Sequence, residues 1–399
     1  MTSDDRRPGG NFLCIARDFK GVATIRALHE LGHNVYLVTD EKNRRDPWPH
    51  DALADIRYVP PRGKRPHDKQ TLVEGTAWAM REHGVDRIIA LDDFDVEDAA
   101  LLREEFRIPG MGQTTARHFR DKLAMRMRAR EAGIPVPAFS DLFSRDHLER
   151  FLGTHGGPYV IKPRGEASAA GITKAADAEA ARAAFAGLGE RNYEYLIECF
   201  APGAVYHVDS LSQNGQVGFV RASEYVAPPL SIVQGGGLFQ TRTLAPDSEV
   251  HRELSSLNTR VVETFGLQIS ASHTEFIRDD TGRFLFLETS SRVGGAYIAN
   301  MLAHATGVDL WRQWGLLEAA NYSGKSFAMP LDRGGYAGIV LRAVGDEQPD
   351  LSGISDEAIA EVIRKPYHVG FIVTAPHYPA LVEVQARVAE WVASYGRGY

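Results

Sequence analysis

The sequence predicts a multidomain protein of mixed α/β and α+β class. Short apolar segments alternate with amphipathic helical segments over the first hundred residues, which is typical of βαβ units around a parallel sheet. Residues 193–225 are instead rich in strand-forming residues and contain an Asn-Gly turn signal, which favours antiparallel hairpins. The length of 399 residues is enough for two or three domains with buried cores.

The first region contains three predicted strands. They cover residues 12–16, 34–40 and 85–93. The third strand ends in two acids, Asp92 and Asp93. Because ligands of parallel sheets bind beyond the carboxyl ends of the strands, we expect these acids to lie near a ligand. The first strand is followed by "ARDFKG" and not by G-x-G-x-x-G, so the pattern does not favour a dinucleotide site.

A Gly- and Pro-rich joint at residues 108–115 separates this region from the rest of the chain. The elements predicted after it are a helix ending at Gly133, a strand–loop–strand unit at 158–175, a helix at 248–265 and a hairpin that turns at 279–282. From about residue 333 the pattern changes again and predicts a small closing α+β unit.

Composition narrows the class of protein. The net charge is −7 and no long basic run is present, which argues against nucleic-acid binding. No apolar stretch reaches the roughly 18 residues that span a bilayer, and the first residues lack the apolar core of a signal peptide and are predicted to be a short disordered tail. Only Cys14 and Cys199 are present, so no disulfide framework is expected. We expect a cytoplasmic protein without membrane or nucleic-acid partners.

Two acids of the predicted hairpin, Glu275 and Glu288, are candidate metal ligands. A two-residue or a four-residue loop places them on the same face of the hairpin, directly opposite or diagonal. Carboxylates this close repel each other unless a cation lies between them, and a hard divalent ion such as Mg²⁺, or Mn²⁺, fits that need. The alternative is that both acids face solvent. Apolar neighbours such as Phe276 and Phe286 favour a core hairpin, where a buried acid requires a partner.

Two lysines are candidate phosphate ligands. Lys162 ends the apolar segment "YVIKP", and Lys122 opens the helical segment "KLAMRMRAREAG". An ammonium at the end of a strand suits a phosphate group. The loop "RGEASAAG" follows Lys162, and its small residues, including Ser168 and Gly171, offer backbone N–H groups to phosphate oxygens. Lys174, beyond the loop, is either a third cation or a lysine at the edge of a strand.

Five segments, in their order along the chain, resemble the ATP-grasp superfamily of carboxylate–amine ligases, in particular its biotin-carboxylase-like and L-amino-acid-ligase branch. They are "RDKLAMRMRAREAGIPVP", "YVIKPRGEASAAG", "LIECFAPGAVYHVD", "HTEFIRDDTGRFLFLETSSRVGG" and "ATGVDL". The resemblance implies an ATP-grasp fold with an N-terminal pre-ATP-grasp αβα domain, a two-lobed ATP-grasp domain and a small C-terminal lobe. The implied boundaries are 1–111, 112–332 with a mobile lid lobe at about 155–230, and 333–399.

The resemblance also implies how a nucleotide is held. Lys122 and Lys162 would bind the phosphates of ATP, and Lys162 would also take part in catalysis. The backbone of the segment 198–201 would form the hinge that bonds the adenine. The hinge residues given this role are Glu198, Cys199 and Ala201.

Metal and substrate ligands are implied in the same way. Glu275 and Glu288 would hold Mg²⁺, and Arg292 would bind the substrate carboxylate and then the acyl phosphate as a catalytic residue. Gly294 and Gly295 would let the substrate approach the backbone closely.

Two positions depart from the family pattern. Ser290 stands where an Asn metal ligand is usual, so the second ion would be held less directly or through water. Val205 stands where an acid usually binds the ribose. Asp209 or His207 would then recognise the sugar, although for His207 a structural hydrogen bond is the simpler interpretation.

The function that the resemblance implies is ATP- and Mg²⁺-dependent ligation. A carboxylate, expected to belong to an amino acid, would be activated as an acyl phosphate and joined to an amine, giving an amide or a dipeptide-like product and ADP. The alternatives are a carboxylase-type or nucleotide-biosynthesis enzyme of the same superfamily and a non-catalytic ATP-binding protein. We expect small carboxylates and amines as partners. The sequence leaves open whether the protein forms a homodimer.

Overall fold

The first sheet has four parallel strands. A computed structural model describes residues 9–60, 69–167, 170–235 and 237–395. The strands are β1 (Asn11–Ala16), β2 (Asn34–Asp40), β3 (Asp55–Val59) and β4 (Arg87–Ala90), in the order β3-β2-β1-β4. The helices of this region are α1 (Val22–Glu30), α2 (Lys69–Glu82) and α3 (Val96–Glu105). All three predicted strands are confirmed, while β3 was not predicted.

A second sheet is small and antiparallel. Its strands are β5 (Phe139–Asp141), β6 (Tyr159–Pro163), β7 (Thr173–Ala175) and β8 (Tyr195–Cys199), in the order β5-β8-β6-β7. The helices α4 (Gln113–Arg117) and α5 (Lys122–Glu131) precede it, and α6 (Arg145–Thr154) and α7 (Ala178–Leu188) lie between its strands in sequence.

A third, antiparallel sheet has eight strands. They are β9 (Ala204–Gln213), β10 (Gln216–Tyr225), β11 (Phe239–Thr243), β12 (Ser270–Arg278), β13 (Phe284–Ser290), β14 (Tyr336–Ala343), β15 (Ile359–Val362) and β16 (His368–Ala375). Their order is β13-β12-β9-β10-β11-β14-β16-β15. The associated helices are α8 (Pro229–Gly235), α9 (Glu249–Phe265), α10 (Ile298–Thr306), α11 (Leu310–Tyr322) and α12 (Tyr378–Ser394).

Local sequence explains the hairpins of this large sheet. β9 and β10 are joined by Asn214 and Gly215, both with positive φ, which is the geometry of a tight two-residue turn. The hairpin β12–β13 is anchored by Phe276, Phe284 and Phe286, which are fully or almost fully buried in one apolar cluster with residues of α5 and α9. This packing holds the hairpin rigidly against the helices.

The sheet to which each strand belongs can be compared with the predicted domain boundaries. The small sheet uses strands between residues 139 and 199, whereas residues 204–225, inside the predicted lid of about 155–230, pair in the large sheet. The strands of the predicted C-terminal lobe, 333–399, continue that same sheet from β11. Pairing alone does not define which units fold or move independently, so the domain boundaries stay predictions.

None of the helices in the described ranges is long and apolar enough to cross a bilayer.

Candidate active site

A cleft of about 590 Å³ lies where residues of the small sheet, of the hairpin β12–β13 and of the loop after β4 meet. Ten residues that the sequence singled out line it: Lys122, Lys162, Glu198, Cys199, Ala201, Glu275, Glu288, Ser290, Arg292 and Gly295. Lys174 lines it too, with its ammonium 4.8 Å from the centre of the Phe200 ring. The cleft is within the size range of sites for nucleotides and other small molecules.

The two hairpin acids face each other directly, as predicted, but both predicted loop lengths are wrong, because Arg278 pairs with Phe284 and five residues, 279–283, lie between the paired strands. Near the turn, Phe276 pairs with Phe286, and the next pair is Glu275 with Glu288. Leu287 is therefore an extra residue, a β-bulge. A regular register continued from the turn would place Leu287 opposite Glu275, so the bulge, and not a regular register, brings the two carboxylates together.

Glu275 is contacted by Tyr225 of β10 and by His273 of its own strand. The Tyr225 hydroxyl donates to its carboxylate at 2.8 Å, and Nε2 of His273 lies 3.6 Å from the same oxygen. Although burial opposes ionisation, the contacts of His273 and Tyr225 keep the pKa of Glu275 below its usual value. Glu275 is therefore a carboxylate at neutral pH.

Glu288 is paired with a lysine from the first turn of α5. Nζ of Lys122 lies 3.0 Å from the Glu288 carboxylate and donates to the backbone carbonyl of Glu166 at 2.6 Å. Asp121 caps this helix by accepting from the N–H groups of Leu123 and Ala124, which fixes where Lys122 begins the helix. The ammonium thus lies beside the acid pair.

A second lysine is held in a buried ionic cluster. Nζ of Lys162 lies 2.6 Å from one oxygen of Glu198, and the other oxygen accepts from Nε of Arg126, which is fully buried. Burial lowers the pKa of Lys162 to about 8. The sequence did not indicate Arg126, because a basic residue in a basic helix is by default a surface residue.

Two backbone N–H groups of the hinge 198–201 already donate to carbonyl groups of the protein. The N–H of Cys199 donates to Ala138 at 2.9 Å, and that of Phe200 donates to Pro158 at 2.8 Å. The N–H of Ala201 has no backbone acceptor within the described ranges. A base bound at the hinge would therefore accept from Ala201.

Asp93 extends the site from the first sheet. It follows β4, accepts a short hydrogen bond from the Ser290 hydroxyl, and lies 2.6 Å from Nη1 of Arg120 and 3.9 Å from Nε of Arg292. Burial alone would raise its pKa, but the two guanidinium groups hold the pKa of Asp93 well below its usual value. Its place after a strand was predicted. Arg120 carried no signal beyond its closeness to Lys122 in the sequence.

Asp209 does not reach the cleft, which corrects its assignment as the ribose ligand. It is fully buried, and its two oxygens are bonded to Nδ1 of His207 at 2.7 Å and Nδ1 of His273 at 2.8 Å. Both oxygens are thus engaged, and no sugar hydroxyl can reach them. The three side chains have the spacing of a metal cluster, but Nε2 of His207 is itself bonded to Thr241 at 2.7 Å. They form a buried hydrogen-bond network, as expected for His207.

The buried network leaves no room for a side chain at Gly294. A Cβ added there would lie 2.7 Å from the Asp209 carboxylate and 2.9 Å from Nδ1 of His273. Gly294 does not line the cleft, whereas a Cβ on Gly295, which does, would meet nothing within 4 Å. The predicted close approach of a substrate therefore applies to Gly295.

The loop after β6 is only partly described. Ser168 lies outside the described residues. Gly171 has φ of +71° and does not itself line the cleft, although its neighbours Ala170 and Ile172 do. The predicted contacts of this loop with phosphate stay predictions.

Comparisons with known proteins agree on the fold. No family model matches the chain. The L-arginine-specific L-amino acid ligase of Bacillus subtilis is 26% identical over 235 residues, which are 57% of this chain and 56% of that ligase. The D-alanine–D-alanine ligase of Cupriavidus taiwanensis is 26% identical over 258 residues, 62% of this chain and 79% of the relative. The chain thus matches little more than half the length of the first of these.

Among solved structures, the L-amino acid ligase of Bacillus licheniformis superposes with a TM-score of 0.74 and 17% identity, covering 96% of this chain and 98% of that one. The comparisons confirm the ATP-grasp fold and the resemblance to ligases of amino acids.

We expect the substitution Asp209→Asn to destabilise the protein by about 3 kcal/mol, because His207 and His273 then lose their buried anionic partner. Thermal or urea unfolding of the two proteins measures the difference. Asp280→Asn is the matched control, since Asp280 is exposed in the turn of the hairpin β12–β13. An Asp209→Asn variant as stable as the control would show that the network does not support the site.

Proposed function

We propose that this chain, which has the ATP-grasp fold, is an ATP- and Mg²⁺-dependent ligase that joins the carboxylate of an amino acid to an amine. One observation carries the proposal: the cleft brings the opposed acids Glu275 and Glu288 together with two lysines and Arg292. This set matches the needs of phosphoryl transfer to a carboxylate, in which catalysis consists of positioning and charge neutralisation. The names of the most similar relatives support an amino acid as substrate.

The acid pair fits a divalent cation. Two carboxylates lie opposite each other on adjacent strands and line the same cleft, and hard cations such as Mg²⁺ or Mn²⁺ prefer such oxygen ligands. Glu275 and Glu288 would hold the ion. Ser290, whose hydroxyl donates to Asp93, would contribute only the remaining lone pairs of its oxygen. When bound, the ion neutralises charge on the phosphates of ATP.

The nucleotide would lie between the small sheet and the hairpin. Lys162 and Lys122 supply ammonium groups for the phosphates, and the N–H of Ala201 supplies a donor for the base. Leu230, Ile232 and Phe239 line the same cleft and give it an apolar wall. Exclusion of water by this wall would protect an acyl phosphate from hydrolysis.

The chemistry proposed has two steps. In the first, Arg292 holds the substrate carboxylate, whose oxygen attacks the γ-phosphorus of ATP. The bond to the β-phosphate oxygen breaks, which gives an acyl phosphate and ADP. In the second, the amine attacks the acyl carbon, the carbon–oxygen bond to phosphate breaks, and the amine loses a proton. The products are an amide, ADP and inorganic phosphate.

Arg292 is placed for this role by Asp93. The carboxylate of Asp93 lies 3.9 Å from Nε of Arg292, and Nη1 of Arg292 donates to the Val293 carbonyl at 2.9 Å. The guanidinium has five N–H donors, so several remain for a carboxylate in the cleft.

ATP and free amino acids are cytoplasmic metabolites, so we place the enzyme in the cytoplasm. Its oligomeric state stays a prediction.

The function is tested by incubating the protein with ATP, Mg²⁺ and pairs of L-amino acids, with bicarbonate and formate as separate arms. We expect ADP, phosphate and a product with the mass of a dipeptide in at least one amino-acid arm. We also expect Lys162→Ala and Glu288→Ala to lower the rate of ADP formation by about 100-fold or more, because each removes charge stabilisation from the transferred phosphoryl group. The exposed residues Lys325 and Glu253 provide matched alanine controls.

ADP formed only with bicarbonate or formate would favour the carboxylase-type alternative. Nucleotide binding without ADP in any arm would favour a non-catalytic protein. Either result would contradict the proposal.

The lowered pKa of Lys162 predicts a pH dependence of nucleotide binding. Lys162 is charged below about pH 8 and loses its proton above it. The affinity of the free protein for ATP should therefore fall as the pH rises, by about fivefold between pH 8 and pH 9 if the ammonium is required. Equilibrium binding measured across this range tests it. Lys162→Arg is the control, because a guanidinium stays charged, and an equal fall in both proteins would contradict the assignment.

A further inference from the structure

A second cavity of about 330 Å³ lies behind the cleft. Residues of the first sheet, of α3, of the turn 266–270 and of α11 line it. β4 is an edge strand of its sheet, and its residues Arg87, Ile88 and Ala90 line this cavity. Its wall is shared with the cleft: Ser290 lines the cleft, and the next residue, Ser291, lines this rear cavity.

Glu318 brings a carboxylate without a close ion-pair partner among the described residues to the rear cavity. One of its oxygens accepts from Nε1 of Trp314 at 3.1 Å, and no cation of the described residues lies within 4.0 Å of it. Burial raises the pKa of Glu318 above its usual value, although the charges of Arg103 and Arg87 and the hydrogen bond from Trp314 act in the opposite direction. A buried carboxylate of this kind gains from a cationic partner.

Arg103 brings a guanidinium to the same cavity, with Glu318 as its more distant electrostatic partner. Its terminal nitrogens donate to two backbone carbonyls, that of Met111 at 3.2 Å and that of Ile88 at 2.5 Å, and no carboxylate of the described residues lies within 4.0 Å. Burial lowers the pKa of Arg103 to about 10. A guanidinium has five N–H donors, so further donors remain for an anion.

The remaining lining combines polar residues, Arg87, Thr115, Gln268, Ser270, Ser291 and Asn321, with an apolar part. Ser291 is 4% exposed, and its hydroxyl has no hydrogen-bond partner among the described residues, although it belongs to the wall of the cavity. Buried hydroxyl groups without a partner are uncommon and indicate a missing one. Much of the rest of the wall is apolar, formed by Ile88, Val96, Met111, Leu267 and Trp314.

We propose that the rear cavity binds a small zwitterion of the free amino-acid class with an apolar side chain. Its ammonium would pair with Glu318 and its carboxylate with Arg103, so that one ligand compensates both buried charges. The Ser291 hydroxyl would donate to the same carboxylate. This site is separate from the cleft and does not depend on the proposed ligase activity. A ligand there would contact the segment that carries Ser290 and Arg292.

The test is isothermal titration of the full chain with L-leucine, without nucleotide. The variant Arg292→Ala serves as the background, because it removes the carboxylate ligand of the cleft and leaves the rear cavity intact. Two probes match leucine but lack one charge each: 4-methylpentanoate lacks the ammonium, and 3-methylbutylamine lacks the carboxylate. We expect leucine to bind at one site in this background, at least tenfold more tightly than either probe.

The variant Glu318→Gln, made in the same background, should lower the affinity for leucine at least tenfold. Its amide oxygen can still accept from Trp314, so the fold is retained, and an unchanged unfolding temperature checks this. Ser291→Ala provides a second variant, with a smaller loss of affinity. Absence of leucine binding, equal binding of the single-charge probes, or unchanged affinity in Glu318→Gln would each overturn the proposal.

Discussion

The site depends on one constraint, the opposition of two carboxylates on adjacent strands. Glu275 and Glu288 form a direct cross-strand pair because a bulge at Leu287 shifts the register of the hairpin. Like charges directly opposite each other destabilise a sheet unless something compensates them. The neighbours of the pair supply that compensation in part, with the Tyr225 hydroxyl on one acid and Lys122 on the other. A divalent cation would complete it.

A buried network behind the hairpin holds this arrangement in place. His207 pairs with Glu275 and Asp209 with His273 in the register between β9 and β12, so the network and the first acid share the same two strands. Asp209 bonds both histidines, and Gly294 packs against it from the segment that follows Ser290. Satisfied polar networks of this kind fix a unique geometry in a core. The positions of Glu275 and Glu288 thus depend on buried residues such as Asp209, which does not line the cleft.

Lys122 and Lys162 line the cleft, but their roles as phosphate ligands stay predictions. The sequence predicted three strands of the first sheet and the hairpin β12–β13, because apolar periodicity is a local signal. It could not predict the bulge at Leu287 or the roles of Arg120 and Arg126, which follow from tertiary contacts. Asp209 was misassigned because the strand pattern does not show that His207 and His273 occupy both of its oxygens. The pairing of β9 with β12 and of β11 with β14 joins segments far apart in the chain, which leaves no local signal in the sequence.

The central claim is that Glu275 and Glu288 together hold a divalent cation beside the nucleotide. Titration of the protein with Mn²⁺ in the presence of ATP, followed by electron paramagnetic resonance of free Mn²⁺, measures this most directly. We expect Glu275→Gln and Glu288→Gln each to weaken Mn²⁺ binding by about tenfold or more, since each removes one charged ligand. Glu253→Gln, on the exposed face of α9, should leave it unchanged. Wild-type Mn²⁺ affinity in both hairpin variants would contradict the account.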